Sequence, residues 1–233
     1  MTRSRYVRPT PLTLAAASAC LGAISLTAGF LIARYSTLPD LLVVHFMRNG
    51  FPNGFQFKTW GRVLVPVFVQ LALVTTLGAV GALLLSRPHG EHDDGAPDVR
   101  AAAVAAEAVA LLAAIWVGFQ AYVAFALARL WELQVARLAG YRGAEVIGFL
   151  LTAAVAVRVH LRLGRPTPRP FVPEHWRFGQ LYKNAADPAL FVPTRQGDRW
   201  TLNFGRPVAA ALMGIVLVVG IVAPAVILAL SLR

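Results

Sequence analysis

Four long stretches of this chain carry no charge, and nothing else in the sequence constrains its fold as strongly. Residues 9–33, 63–86, 108–128 and 207–232 contain no Asp, Glu, Lys or Arg. About 20 apolar residues in a helix cross the hydrocarbon core of a bilayer. Lipid accepts only backbones whose N–H and C=O groups are satisfied internally. Runs of this length and composition therefore predict membrane-spanning helices. With 57% hydrophobic and 14% charged residues, the chain departs from the about 45–50% and 25% of soluble domains in the direction a bilayer requires.

A fifth span lies between the third and fourth of these runs. Its charge-free core, residues 146–157, is too short to cross, so Glu145, Arg158 or both must lie at membrane depth. Arg158 can snorkel to the nearer surface with Arg162 and Arg165, while Glu145 is expected to face the bundle. Residues 108–128 cross unaided, which leaves Glu107 at the interface with Arg100 as its expected partner. Gln70 and Gln120 are the other intramembrane polar groups, and Gln70 suits hydrogen bonds between helices. The first run follows Arg3, Arg5 and Arg8 and exceeds the about 7–15-residue core of a secretory signal. It is expected to remain as a span, with Cys20 as a small buried hydrophobe inside it.

The net charge of +11 points to membrane topology and not to nucleic acid, because the arginines flank apolar runs instead of lining one helical face. With five spans, fourteen of the 22 Lys and Arg fall on the side of the N-terminus and eight on the other. The bias places the N-terminus inside and the C-terminus outside. Residues 87–98, RPHGEHDDGAPD, read as a solvated connector. Its His89, Glu91, His92, Asp93 and Asp94 lack the HExxH spacing of a metal site, and Asp98 suits an N-cap. The expected fold class is an all-α integral membrane protein of five transmembrane helices, N-in/C-out, with a small cytoplasmic hairpin-like segment before the last helix. The chain divides into residues 1–86, 87–165, 166–207 and 208–233.

Two polar intervals hold what is specific to this chain. The outward one, residues 36–61, contains Leu38-Pro39-Asp40, then Val43-Val44-His45-Phe46, then Gly50-Phe51-Pro52-Asn53-Gly54 and Lys58. Pro39-Asp40 and Pro52-Asn53-Gly54 read as turns, so the loop should be compact. His45 reads either as a ligand-binding or pH-sensing group or as a loop-packing residue, and Lys58 as an interfacial charge. The inward interval, residues 174–207, carries Tyr182, Asn184, Asp187-Pro188, Arg195, Gly197 and Trp200-Thr201-Leu202-Asn203-Phe204. The last five alternate like a strand, which suggests a small hairpin feeding the final helix. Asn184 and Asn203 are expected to hydrogen-bond it together.

The outward loop, over about the first third of the chain, resembles the signature of a bacterial SdpI-like membrane family. In that family an LPD element is followed by HF, a G-x-P-x-G turn and a Lys; here Met47 stands where Asn is common after HF. The inward interval resembles a second small domain that often accompanies the first, in the pattern YxNxxDPxLFVPxRxGxxWTLNFxRP. The resemblance implies a multi-pass protein of the bacterial cytoplasmic membrane with an immunity or signalling role. Pro39, Asp40, His45, Gly54 and Lys58 outside, and Tyr182, Asn184, Asp187, Arg195, Trp200 and Asn203 inside, are the expected ligand- and partner-binding residues.

The expected function is a non-enzymatic sensor or immunity-type protein. It binds a peptide or envelope ligand outside and a cytoplasmic regulator or membrane partner inside, with the lipid bilayer as its medium. A transport-associated subunit with a pathway near Glu145 is the alternative. No HExxH, GxSxG or nucleophile–base pair within a span points to an enzyme, and neither cofactor nor metal is expected.

Overall fold

Pro11 opens the first helix, α1 (Pro11–Arg34), where a missing N–H costs little and a fixed φ suits the first turn. After a 3-10 turn at Tyr35–Thr37, Pro39 stops it, because the residue before a proline is driven out of the helical region. Leu38 is accordingly extended, at φ −71° and ψ 144°. In the computed structural model, residues 5–47, 51–86, 88–89, 96–133, 140–166 and 168–218 are described. Strands β2 (Leu41–Phe46) and β3 (Pro52–Phe57) follow α1, and β1 (Arg5–Tyr6) precedes it. Thr59 then caps the one-turn helix α2 (Trp60–Val63), its Oγ1 accepting from the Arg62 N–H at 3.3 Å.

Helices α3 (Val65–Leu85), α4 (Pro97–Leu133) and α5 (Tyr141–Leu163) complete a mostly helical chain. Among the described residues four helices, Pro11–Thr37 (α1 with its 3-10 turn), Val65–Leu85, Pro97–Leu133 and Tyr141–Leu163, are long and apolar enough to cross a membrane. With 37 residues at about 1.5 Å each, α4 is far longer than the roughly 30 Å hydrocarbon core. Its apolar run and its polar first turns therefore answer to different surroundings. Asp98 stands within the first turn after Pro97 instead of capping it, still where a carboxylate favours the helix dipole.

The last helix, α6 (Pro207–Leu217), starts on Pro207. The remainder of the expected fifth span, with Gly220 and Pro224, lies outside the described residues. The same is true of Glu91, His92, Asp93 and Asp94.

The chain is mostly helical as expected, but the all-α reading needs correction in its loops, because four two-stranded antiparallel ladders are present among the described residues. They are β1 with β4 (Pro88–His89), β2 with β3, β5 (Trp176–Arg177) with β6 (Leu181–Tyr182), and β7 (Phe191–Pro193) with β8 (Trp200–Leu202). The polar intervals outside the long helices are long enough to pair backbone with backbone, which satisfies their N–H and C=O groups.

Residues fall into two compact units. One comprises Met1–Pro11, Ala79–Val109 and Val157–Arg233; the other comprises Leu12–Gly78 and Ala110–Ala156. In the second unit, Leu31, Leu42, Val63, Ala124, Ala128 and Trp131 form one cluster, and Cys20, Ala113 and Val117 another. Gln70 is fully buried there. Its Nε2 donates to Thr27 Oγ1 (3.2 Å) and to the Val117 carbonyl (3.0 Å), so one amide on α3 ties α1 and α4. Gln120 is half-buried on α4. In the first unit, Leu190 with Phe191, Leu202 and Phe204 packs on Leu84 of α3, Ala106 of α4, and Ala209 and Leu212 of α6.

Candidate functional site

The residues named in the 36–61 interval assemble in the second unit. Leu41 faces Phe57, Leu42 faces Gln56 and Val43 faces Phe55, with register shifts on either side of His45. Alternation turns Leu42 into the core, whereas Leu41, Val44, Phe55 and Phe57 stay exposed, Phe57 at 74%. The Trp131 indole N–H donates to the Val43 carbonyl at 2.9 Å and pins the ladder to α4. Lys58 closes its base. Lys58 Nζ donates to the Leu38 carbonyl (2.6 Å), lies 5.3 Å from the Tyr35 ring centre and is 3.4 Å from Asp40. Asp40 is 94% exposed, so that ion pair contributes little; the carbonyl contact sets the position of Lys58. Pro39 is half-buried beside them.

Pro52-Asn53-Gly54 does not form the expected turn. These residues open β3, and the chain reverses beforehand, where the Met47 N–H donates to the Phe51 carbonyl at 2.7 Å. His45 Nδ1 hydrogen-bonds Asn53 Oδ1 across the ladder. Gly54 is required opposite His45, because a Cβ there would sit 2.7 Å from His45 Cβ.

The residues named in the 174–207 interval assemble in the first unit around Asn203, which is fully buried. Its Oδ1 accepts from the Asn184 and Gly205 N–H groups (3.0 and 2.9 Å). Its Nδ2 donates to the carbonyls of Asn184, Asp187 and Ala189 at 2.8–3.1 Å. The expected Asn184–Asn203 pairing is thus present, side chain to backbone. Gly205 lies against the Asn184–Ala185 backbone, where a Cβ has no room.

Asp187 Oδ1 accepts from the Ala189 N–H (2.9 Å), while Oδ2 accepts from Arg169 Nη1 (2.9 Å) and the Tyr182 hydroxyl (3.1 Å). Burial pushes the Tyr182 phenol above its usual 10.0. The Asp187 carboxylate adds to this, against the opposing Asn184 hydrogen bond and Arg169 charge.

Beside this knot lies a cleft of about 270 Å³ between Phe171, His175, Trp176, Tyr182, Arg169 and Arg195. Trp176 and Tyr182 meet edge-on at 5.4 Å, and the Arg195 guanidinium rests 4.6 Å from the Phe171 ring centre. Trp200, paired with Pro193 across the last ladder, lines a neighbouring open hollow with Arg195 and Arg199. Tyr182, Asp187 and Arg195 therefore come together, whereas Asn184 and Asn203 are framework.

Among the described residues the buried carboxylates are Asp98 and Glu107, not Glu145. Glu145 stands near the start of α5 and pairs with Arg142 at 3.0 Å, three residues away. Glu107 is 3% exposed. Its partners are not Arg100, which is exposed, but Arg158 (3.1 Å) and Arg162, together with the Thr10 hydroxyl at 2.6 Å. Arg158 and Arg162 lie four apart and share one face of α5; that spacing was the available signal. Among the described residues no group of three or more His, Cys, Asp or Glu is placed to hold a metal. No protein-family model, no curated protein and no solved structure matches the chain.

Proposed function

We propose that this is a five-span, N-in/C-out protein of the bacterial cytoplasmic membrane and a non-enzymatic, SdpI-like binding protein of the sensor or immunity type. The β2–β3 hairpin receives an extended peptide on its outer side, and the 166–207 segment engages a regulator or membrane partner inside. One observation carries this reading. The hairpin holds Leu41, Val44, Phe55 and Phe57 exposed on a frame fixed by Leu42, Lys58 and Trp131. A two-stranded ladder has an outer edge on each strand, and an edge beside apolar side chains is how sheets accept an added strand.

The proposed topology draws support from the first unit. It gathers the start of α1, the end of α3, the start of α4, the end of α5 and the start of α6, the ends that alternating spans bring to one side.

Asn53→Cys and Gln180→Cys, each in a Cys20→Ala background, test the arrangement. An impermeant maleimide should label position 53 in intact cells and position 180 only after lysis; the reverse pattern sinks the topology. Photocrosslinking from position 57 to an added peptide tests the binding role, and no adduct with any peptide of the producing cell's surroundings would count against it. A transport-associated subunit, the alternative, would draw on buried Glu107 with its two arginines. Glu107→Gln abolishing solute flux, with hairpin variants silent, favours that reading.

A further inference from the structure

We infer that the segment preceding α6 docks on an anionic lipid surface. The Arg169–Arg195 cleft takes a phosphodiester headgroup, and Phe178 seats its ring in the membrane interface. This rests on the chain being a membrane protein and is independent of what the hairpin binds.

Three observations converge. Residues 165–206 carry seven Lys or Arg against three acids, Glu174, Asp187 and Asp198. Asp187 and Asp198 are already engaged, by Arg169 and Arg199. A basic segment directly after a span is drawn to anionic headgroups, and this one begins where α5 ends, at Leu163.

The cleft itself matches a headgroup. At about 270 Å³ it falls just below the roughly 300–1,000 Å³ of sites for larger ligands. Asp187 takes one N–H of Arg169, and a guanidinium has five to offer. The fork geometry of Arg169 and Arg195 suits phosphate oxygens, while Phe171 and Trp176 supply an apolar wall for the glycerol carbons.

The β5–β6 tip supplies the third observation. Phe178 has φ 50° and is followed by Gly179 at φ 73°, a turn that favours Asn or Gly. Phe178 is 96% exposed. Aromatic rings gain most at the boundary between headgroups and acyl chains, so an exposed Phe beside Arg177 is suited to that boundary.

The test uses the full chain in nanodiscs, with Phe178→Cys in a Cys20→Ala background carrying an environment-sensitive fluorophore. As phosphatidylglycerol replaces phosphatidylcholine, emission should shift to the blue and iodide quenching should fall. Arg195→Gln should raise the half-maximal phosphatidylglycerol fraction about fivefold. Arg165→Gln removes a charge of the same segment outside the cleft, so it loses general attraction only and should raise that fraction less than Arg195→Gln does. Amide exchange across residues 182–206 verifies that each variant is folded. A probe equally exposed at every lipid composition overturns the proposal, as does full burial in pure phosphatidylcholine or equal effects of the two arginine variants. Competition by millimolar glycerol phosphate also overturns it, assigning the cleft to a soluble phosphate ester.

Discussion

Replacing Asn203 with alanine removes the one side chain that satisfies backbone from both halves of the segment before α6. Its Oδ1 is the acceptor for the Asn184 and Gly205 N–H groups, and its Nδ2 shares two protons among three carbonyls. The site is fully buried, so the alanine variant leaves two N–H groups without acceptors at a cost of about 1–3 kcal/mol each. Local opening should become easier by about 2–6 kcal/mol, which is at least roughly 30-fold faster amide exchange. Hydrogen exchange with mass spectrometry on the full chain in micelles reads this directly. The Lys183, Thr194 and Phe204 amides, bonded to His175, Arg199 and Tyr182, report on the segment, and peptides from α1 and α3 serve as internal controls. Asn184→Ala is the graded comparison. That side chain accepts from the Ala186 N–H at 2.9 Å, so about 1 kcal/mol is expected. Acceleration below about threefold in Asn203→Ala would mean that water or a backbone shift replaces the lost acceptors at little cost, and the reasoning would fail.

Gly54→Ala should loosen the β2–β3 ladder by about 1–3 kcal/mol, since the new methyl meets His45 Cβ and a packed ladder yields only by moving backbone; faster proteolysis near Met47 would report it. Glu107→Gln should lower thermal stability by about 1–3 kcal/mol. This is below the 3–5 of a fully buried pair, because Arg158 and Arg162 are 47% and 35% exposed. Adding Arg162→Gln should recover part of that loss, and a fully additive double variant would refute the pairing. The Tyr182 phenol, raised above 10.0 in the folded state, contributes stability that is complete below that value and lost as pH rises through the folded one. Phenolate absorbance of the native chain minus that of Tyr182→Phe should therefore titrate above 10.0, and a difference curve centred below it would contradict the assignment.

What the sequence by itself determined is the set of segments that can cross a membrane. An uncharged run of about 20 residues has few other places to go, and the helices Pro11–Arg34, Val65–Leu85 and Pro97–Leu133 follow those runs. Gln70 was legible as an interhelical group for the same reason, since apolar surroundings leave an amide only other helices to bond. Asn203 was legible as a hydrogen-bonding member of a short strand pattern, while the family resemblance placed it among the partner-binding residues.

The tertiary structure alone decided the rest. Pro52-Asn53-Gly54 has turn chemistry, yet it opens a strand because the Met47–Phe51 closure and the His45–Gly54 contact set the register. Glu107 could be assigned a nearby arginine from sequence. It takes Arg158 and Arg162, 51 and 55 positions away, because α5 brings them beside α4. Nor does local pattern reveal the cleft, whose walls come from residues 169–176, Tyr182 and 192–195. Turn and helix preferences act over a few residues, whereas these partners are chosen by packing between segments far apart in the chain.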